Sequence, residues 1–112
     1  MHFISDNNRF FSISQPGNTI YAQLIKRGKT PEIVAGNLRM TYRIEDGFNT
    51  PSSNSNFWQY SRSFYGRRIN DNEGFSGKKT TGEMDFNKSL MAYSAGDLPV
   101  IPYRDDGSFV PF

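Results

Sequence analysis

The stretch Leu38-Arg39-Met40-Thr41-Tyr42-Arg43-Ile44-Glu45 decides the fold class. Leu38, Met40, Tyr42 and Ile44 alternate with Arg39, Thr41, Arg43 and Glu45, and a period of two marks a strand with one face in a core and the other in water. Toward the N-terminus, Thr19 to Lys26 has the same character, with Ile20, Ala22 and Leu24 expected inward. Pro16-Gly17-Asn18 supplies a turn before it, Arg9 to Ser14 forms a strand on the far side of that turn, and Gly36-Asn37 suits a tight turn ahead of Leu38.

Toward the C-terminus the period changes. Asn49 to Asn56 is polar, contains Pro51 and reads as a loop. Phe57, Tyr60 and Phe64 then stand at i, i+3 and i+7, and Trp58, Arg62 and Tyr65 at i, i+4 and i+7. Ser55 or Asn56 can cap the start and Gly66 can close the end, so a short helix is predicted over 56–65. Arg67 to Gly77 is irregular, and strands are expected over Thr80–Asn87, Ser89–Tyr93 and Leu98–Tyr103. Pro99 and Pro102 confine the last of these to an edge or a bulge. Asp105-Asp106-Gly107-Ser108 reads as a turn. Short strands separated by turn signals every ~8–12 residues give a mainly β chain, a single small sandwich of immunoglobulin or fibronectin type with one short helix, and a small barrel as second choice.

The chain has 112 residues, room for one domain over 1–112. Apolar residues make up only 36%, but ten Phe, six Tyr and one Trp let few side chains fill a core. The ending Phe109-Val110-Pro111-Phe112 is apolar for a free terminus, which leads to the expectation that the native chain continues or packs on a partner. Met1 to Asn8 has neither the basic start nor the apolar run of a signal peptide, so an exported form would begin after its leader is removed. No stretch reaches the ~20 apolar residues of a membrane span.

Thirteen basic residues against eleven acidic ones leave a net charge of +2, too small to indicate nucleic acid by itself. Zero Cys removes disulfides, thiolate zinc sites, haem attachment and iron–sulfur ligation from these residues. The one His is His2, near the terminus, and no Ser sits in a Gly-x-Ser-x-Gly turn, so the chain reads as non-catalytic. Asn70-Asp71-Asn72-Glu73-Gly74 lacks the spacing and distant Glu of a calcium loop, and Gly74-Phe75-Ser76-Gly77-Lys78-Lys79-Thr80 lacks the pattern of a phosphate-binding loop. No metal or cofactor is expected within this chain. Lys26-Arg27-Lys29, Arg67-Arg68 and Lys78-Lys79 interleave with aromatic residues, the mixture used on single-stranded nucleic acid, but Glu32, Glu45, Glu73 and Glu83 break the field. Carbohydrate is the other ligand class such rings serve, with Trp58, Tyr60 and Tyr65 beside an Asn/Ser-rich loop. The candidate binding set is therefore Trp58, Tyr60, Tyr65, Arg67 and Arg68.

Phe11-Ser12-Ile13, Pro16 to Gly28, Met40-Thr41-Tyr42-Arg43-Ile44, Asn56-Phe57-Trp58-Gln59-Tyr60, Phe64-Tyr65-Gly66, Gly82-Glu83-Met84-Asp85 and Leu98 to Asp106 occur in an order that resembles the N-terminal β domain of exported proteins of metal-reducing, Geobacter-like bacteria. In those proteins Cys-x-x-Cys-His haem-binding or Cys-pair segments follow downstream. The resemblance implies a periplasmic or extracellular module of a surface or electron-transfer complex, and it transfers no haem or zinc ligand, because this chain has none of the cysteines. The function expected is a non-catalytic structural or assembly module that contacts another protein chain or its own copies, with carbohydrate or single-stranded nucleic acid as the alternative.

Overall fold

The computed structural model describes the backbone of residues 2–7 and 10–110, and side chains from Gln15 to Val110. Most of the regular structure is short antiparallel strands. β1 (His2–Asn7) pairs with β2 (Phe10–Ser14). β2 is the strand expected at Arg9–Ser14, with Arg9 outside the described residues; β1 uses a segment the sequence pattern left as a loose terminus. β3 (Asn18–Ala22), β4 (Ile25–Lys26), β5 (Glu32–Ile33) and β6 (Thr41–Arg43) follow, then a 3-10 turn at Pro51–Ser53 and the helix α1 (Phe57–Tyr65). β7 (Thr81–Glu83), β8 (Asp85–Asn87) and β9 (Ala92–Leu98) complete the set.

The strands form a three-stranded sheet in the order β3-β9-β8 and the two-stranded sheets β1-β2, β4-β5 and β6-β7. No closed barrel forms among the described residues, and the arrangement is compatible with a small sandwich-like fold. β7 and β8 are almost one strand, interrupted only at Met84, and the interruption is a corner: β7 pairs with β6, and after Met84 the same segment pairs with β9. The Met84 amide donates to the Met40 carbonyl at 2.8 Å while its side chain enters the core, so the strand changes sheets without losing that hydrogen bond. Tyr42, Met84, Tyr93, Ala95 and Leu98 make up this core. The alternation read at 38–45 holds, because Met40, Tyr42 and Ile44 are buried or half-buried and Arg39, Thr41, Arg43 and Glu45 are exposed. Leu38, however, is exposed.

Three expectations need correction. The strand over Thr19–Lys26 breaks at Gln23-Leu24 into β3 and β4, and Ile20 and Leu24 stay largely in solvent instead of pointing inward. Ser89–Tyr93 is not one strand: the Asn87 carboxamide oxygen accepts from the amides of Ser89 (3.0 Å) and Leu90 (3.2 Å), folding 88–91 into the turn that joins β8 to β9. Leu98–Tyr103 is not one strand: Leu98 ends β9, the Val100 amide turns back to the Leu98 carbonyl, and Tyr103 makes an isolated antiparallel bridge with Phe109.

β9 itself escaped the sequence pattern because it is a bulged central strand. Asn18 pairs with Leu98 but Ile20 with Ala95, so Gly96 and Asp97 both face the single residue Thr19. Asp97 carries a φ of 58° there, and its carboxylate accepts from the Ser76 amide. Gly74 abuts the same point: a Cβ at Gly74 would lie 1.8 Å from the Asp97 carbonyl oxygen, so only glycine fits.

Candidate functional site

α1 forms where the period-3.6 pattern places it. Its start is fixed from outside the helix, since the Asn56 amide donates to Asp105 Oδ2 at 2.7 Å and the Ser55 hydroxyl oxygen accepts from the Phe57 amide at 3.2 Å. Burial alone would raise the Asp105 pKa, but its lowering contacts together outweigh burial, the largest of them being the hydrogen bond from the Asn56 amide, and the carboxyl lies below its ordinary range. Gly66 ends the helix at φ 70°, with its amide on the Arg62 carbonyl at 3.0 Å. One face is buried. Phe57 and Trp58 meet edge to face at 5.3 Å, and Ile69 and Ile101 complete a second core. The Ser61 hydroxyl, fully buried, donates to the Trp58 carbonyl and accepts from the Ile69 amide.

The candidate binding residues do not gather in one place. Trp58 is 2% exposed and its indole N–H donates to the Glu73 carbonyl at 2.8 Å, so its ring belongs to the core and is no open stacking face. Tyr60, two positions on, leaves the opposite flank of the helix, where it is 45% exposed near Phe64. Tyr65 packs at 5.3 Å on Phe75, and burial raises its hydroxyl pKa. Arg67 lies over the Phe75 ring at 4.2 Å and donates to the Phe75 carbonyl, which fixes the loop after α1. Of the remaining basic pairs, Lys78 is held by Asp85 at 3.1 Å and Lys79 by Glu73 at 3.6 Å, so this doublet is locally neutralised.

Arg68 sits elsewhere, on a cleft of about 480 Å³ beside α1 that Trp58 also lines. Its other walls include Asn56, Gln59, Arg62 and Asp71, none of which belonged to the candidate binding set. The available signal was the i, i+3 pair Gln59 and Arg62 on the polar flank of the helix.

The second notable surface lies at the opposite extreme of packing. Among the described residues β4-β5 pairs only with itself. Its apolar side chains are open to solvent: Ile25 is 51% exposed, and Leu24 and Ile33 are 42% exposed. Tyr21 on β3 and Leu90 and Met91 on the β8–β9 turn are also exposed, and Gln23 Nε2 ties the two regions together through the Met91 carbonyl at 3.0 Å. Lys26, Arg27 and Lys29 stand beside them, against the single carboxylate Glu32.

Among the described residues there is no group of three or more His, Cys, Asp or Glu placed to hold a metal ion, and no helix is long and apolar enough to cross a membrane. Compared with family models, with curated proteins and with solved structures, the chain matches none.

Proposed function

We propose that this chain is a non-catalytic assembly module that docks another protein through the β4-β5 hairpin. One observation carries the reading: a two-stranded hairpin that pairs with no other strand among the described residues exposes Ile25 and Ile33 together with the adjoining Leu24. An isolated two-stranded hairpin is marginal in water, and exposed strand edges with apolar side chains are the usual ground for strand addition by a partner. The flanking charges select the partner. Lys26, Arg27 and Lys29 against Glu32 leave an excess of two positive charges, so a second copy meeting this face would bring like charge to like, whereas a different protein with an acidic strand edge is complementary. The resemblance to exported proteins of metal-reducing bacteria supports placing this contact in a periplasmic or cell-surface complex, with any redox group held by sequence outside these residues or by the partner.

Site-specific photo-crosslinking in the native source tests the reading. A crosslinker in place of Ile25 or Ile33 is expected to give one discrete adduct with an acidic-edged protein, weakened by Lys26→Glu with Arg27→Glu and absent from a crosslinker at Ser63. No adduct, or equal adducts from all three positions, overturns it. The visible spectrum of the natively isolated complex bears on its setting: a Soret band supports an electron-transfer assembly, and a colourless complex removes that association.

A further inference from the structure

We propose that Asn87 is an N-glycosylation acceptor, marked for its transferase by Asp85 and modified by an oligosaccharide delivered on a lipid diphosphate. The proposal rests on the exported setting of the reading above but not on its docking hairpin. Asn87-Lys88-Ser89 is the one Asn-x-Ser/Thr triplet in the chain, and its middle residue is not proline. A triplet this short arises readily by chance, so its placement decides.

Asn87 ends β8 and pairs with Ala92 of β9, and residues 88–91 make the loop between them, with the Met91 amide on the Lys88 carbonyl at 3.3 Å. Asn87, Lys88 and Ser89 are all exposed. The Asn87 carboxamide oxygen accepts from the amides of Ser89 and Leu90. Both of these groups are donors, so oxygen is the atom held against the backbone, and the planar carboxamide turns Nδ2 away from the turn. The triplet is therefore already bent, and an enzyme can take it without pulling a strand out of its ladder. Asp85 stands two residues earlier on the same exposed face of β8, its side chain 79% exposed and engaged only in a surface ion pair with Lys78 at 3.1 Å. It completes the pattern Asp-Phe-Asn-Lys-Ser and gives a basic group of a transferase a carboxylate to hold beside the acceptor.

In the reaction Nδ2 attacks the anomeric carbon of the first sugar. A C–N bond forms, the C–O bond to the diphosphate breaks, and the lipid diphosphate leaves with the bonding electron pair while one Nδ2 proton passes to a base of the transferase. Oδ1 takes no part, so both hydrogen bonds that set the turn survive modification.

Glycopeptide mass spectrometry of the full chain isolated from its native source tests this. The peptide containing Asn87 is expected to carry an oligosaccharide increment that fragments down to a single sugar on that residue. Ser89→Ala is expected to abolish the increment, Asp85→Asn to reduce it and Ser89→Thr to keep it. The Ser89 variants leave the turn intact, because the hydrogen bond to Asn87 comes from the backbone amide. An unmodified Asn87 in the native chain, a glycan linked through the Ser89 hydroxyl, or an increment undiminished in Ser89→Ala or Asp85→Asn overturns the proposal. Crosslinking at Ile25 and Ile33 is read separately, so the docking hairpin and the acceptor can each fail while the other stands.

Discussion

Around α1 the rings of Phe57, Trp58 and Tyr65 are packed against Ile69, Phe75 and Ile101, whereas on β4-β5 the side chains of Leu24, Ile25 and Ile33 face solvent. Both regions are short, apolar in pattern and bounded by turns, so local sequence character does not separate them. What separates them is anchoring. The helix region is tied to the rest of the molecule by Asp105 at its start, by the Trp58 indole on Glu73, and by Gly74 seated on Asp97 next to that same Glu73. Among the described residues the strands of the hairpin pair only with each other, and the Gln23 side chain next to it tethers to the Met91 carbonyl. Aromatic residues therefore carry stability in one region, and aliphatic residues are left for a partner in the other.

The comparison would break most visibly at Trp58. Trp58→Ala removes the largest fully buried side chain and is expected to cost about 3–5 kcal/mol, measured by urea unfolding. A loss under about 1 kcal/mol would show that the helix region is not the stabilising one. Gly74→Ala drives a methyl group into the Asp97 carbonyl and is expected to cost about 2–3 kcal/mol, lowering the melting temperature and uncoupling the helix region from the β9 bulge.

Asp105 gives the comparison a pH dependence. Its folded-state pKa lies below its ordinary value, so its contribution is complete above the unfolded-state value of ~3.9 and is lost as pH falls through the lower folded-state value. Asp105→Asn is expected to cost about 1 kcal/mol at neutral pH, within the range of a lost helix cap, and to flatten the fall in melting temperature below that point. An unchanged acid profile would show that the carboxylate does not anchor α1.

The smallest expected effects sharpen the contrast. The Tyr93 hydroxyl is buried without a hydrogen-bond partner among the described residues, so Tyr93→Phe is expected to be neutral or to stabilise by up to about 1 kcal/mol in thermal unfolding. Ile25→Ser is expected to change stability by no more than about 0.5 kcal/mol, since its side chain is already largely hydrated. A larger loss at Ile25 would make it a structural residue and remove the ground for a docking surface.

The helix and the strand at 41–43 were legible because each follows from a local rule, a period of 3.6 closed by Gly66 and a period of two through Tyr42. β9 was not, because residues 94–97 fall between the strands expected at Ser89–Tyr93 and Leu98–Tyr103, and Gly96-Asp97 becomes a bulge only when β3 and Gly74 close over it. The turn at 88–91 was hidden for a similar reason: the Asn87 side chain, not the backbone pattern of Ser89-Leu90-Met91, sets it. Alternation marked Ile20 and Leu24 as inward, but period alone says that one face differs from the other and not which face has a core to meet. Of the cleft, Arg68 was picked out from its neighbourhood in sequence. Arg62 and Asp71 come together with it only after Gly66 turns the chain back along α1.

Hydrogen exchange compared between the free chain and the chain in its native complex tests the docking surface most directly. The amides of Ile25, Lys26, Glu32 and Ile33 are expected to gain protection in the complex while those of α1 remain unchanged. Protection gained at α1 with β4-β5 exchanging as fast as in the free chain would contradict the account.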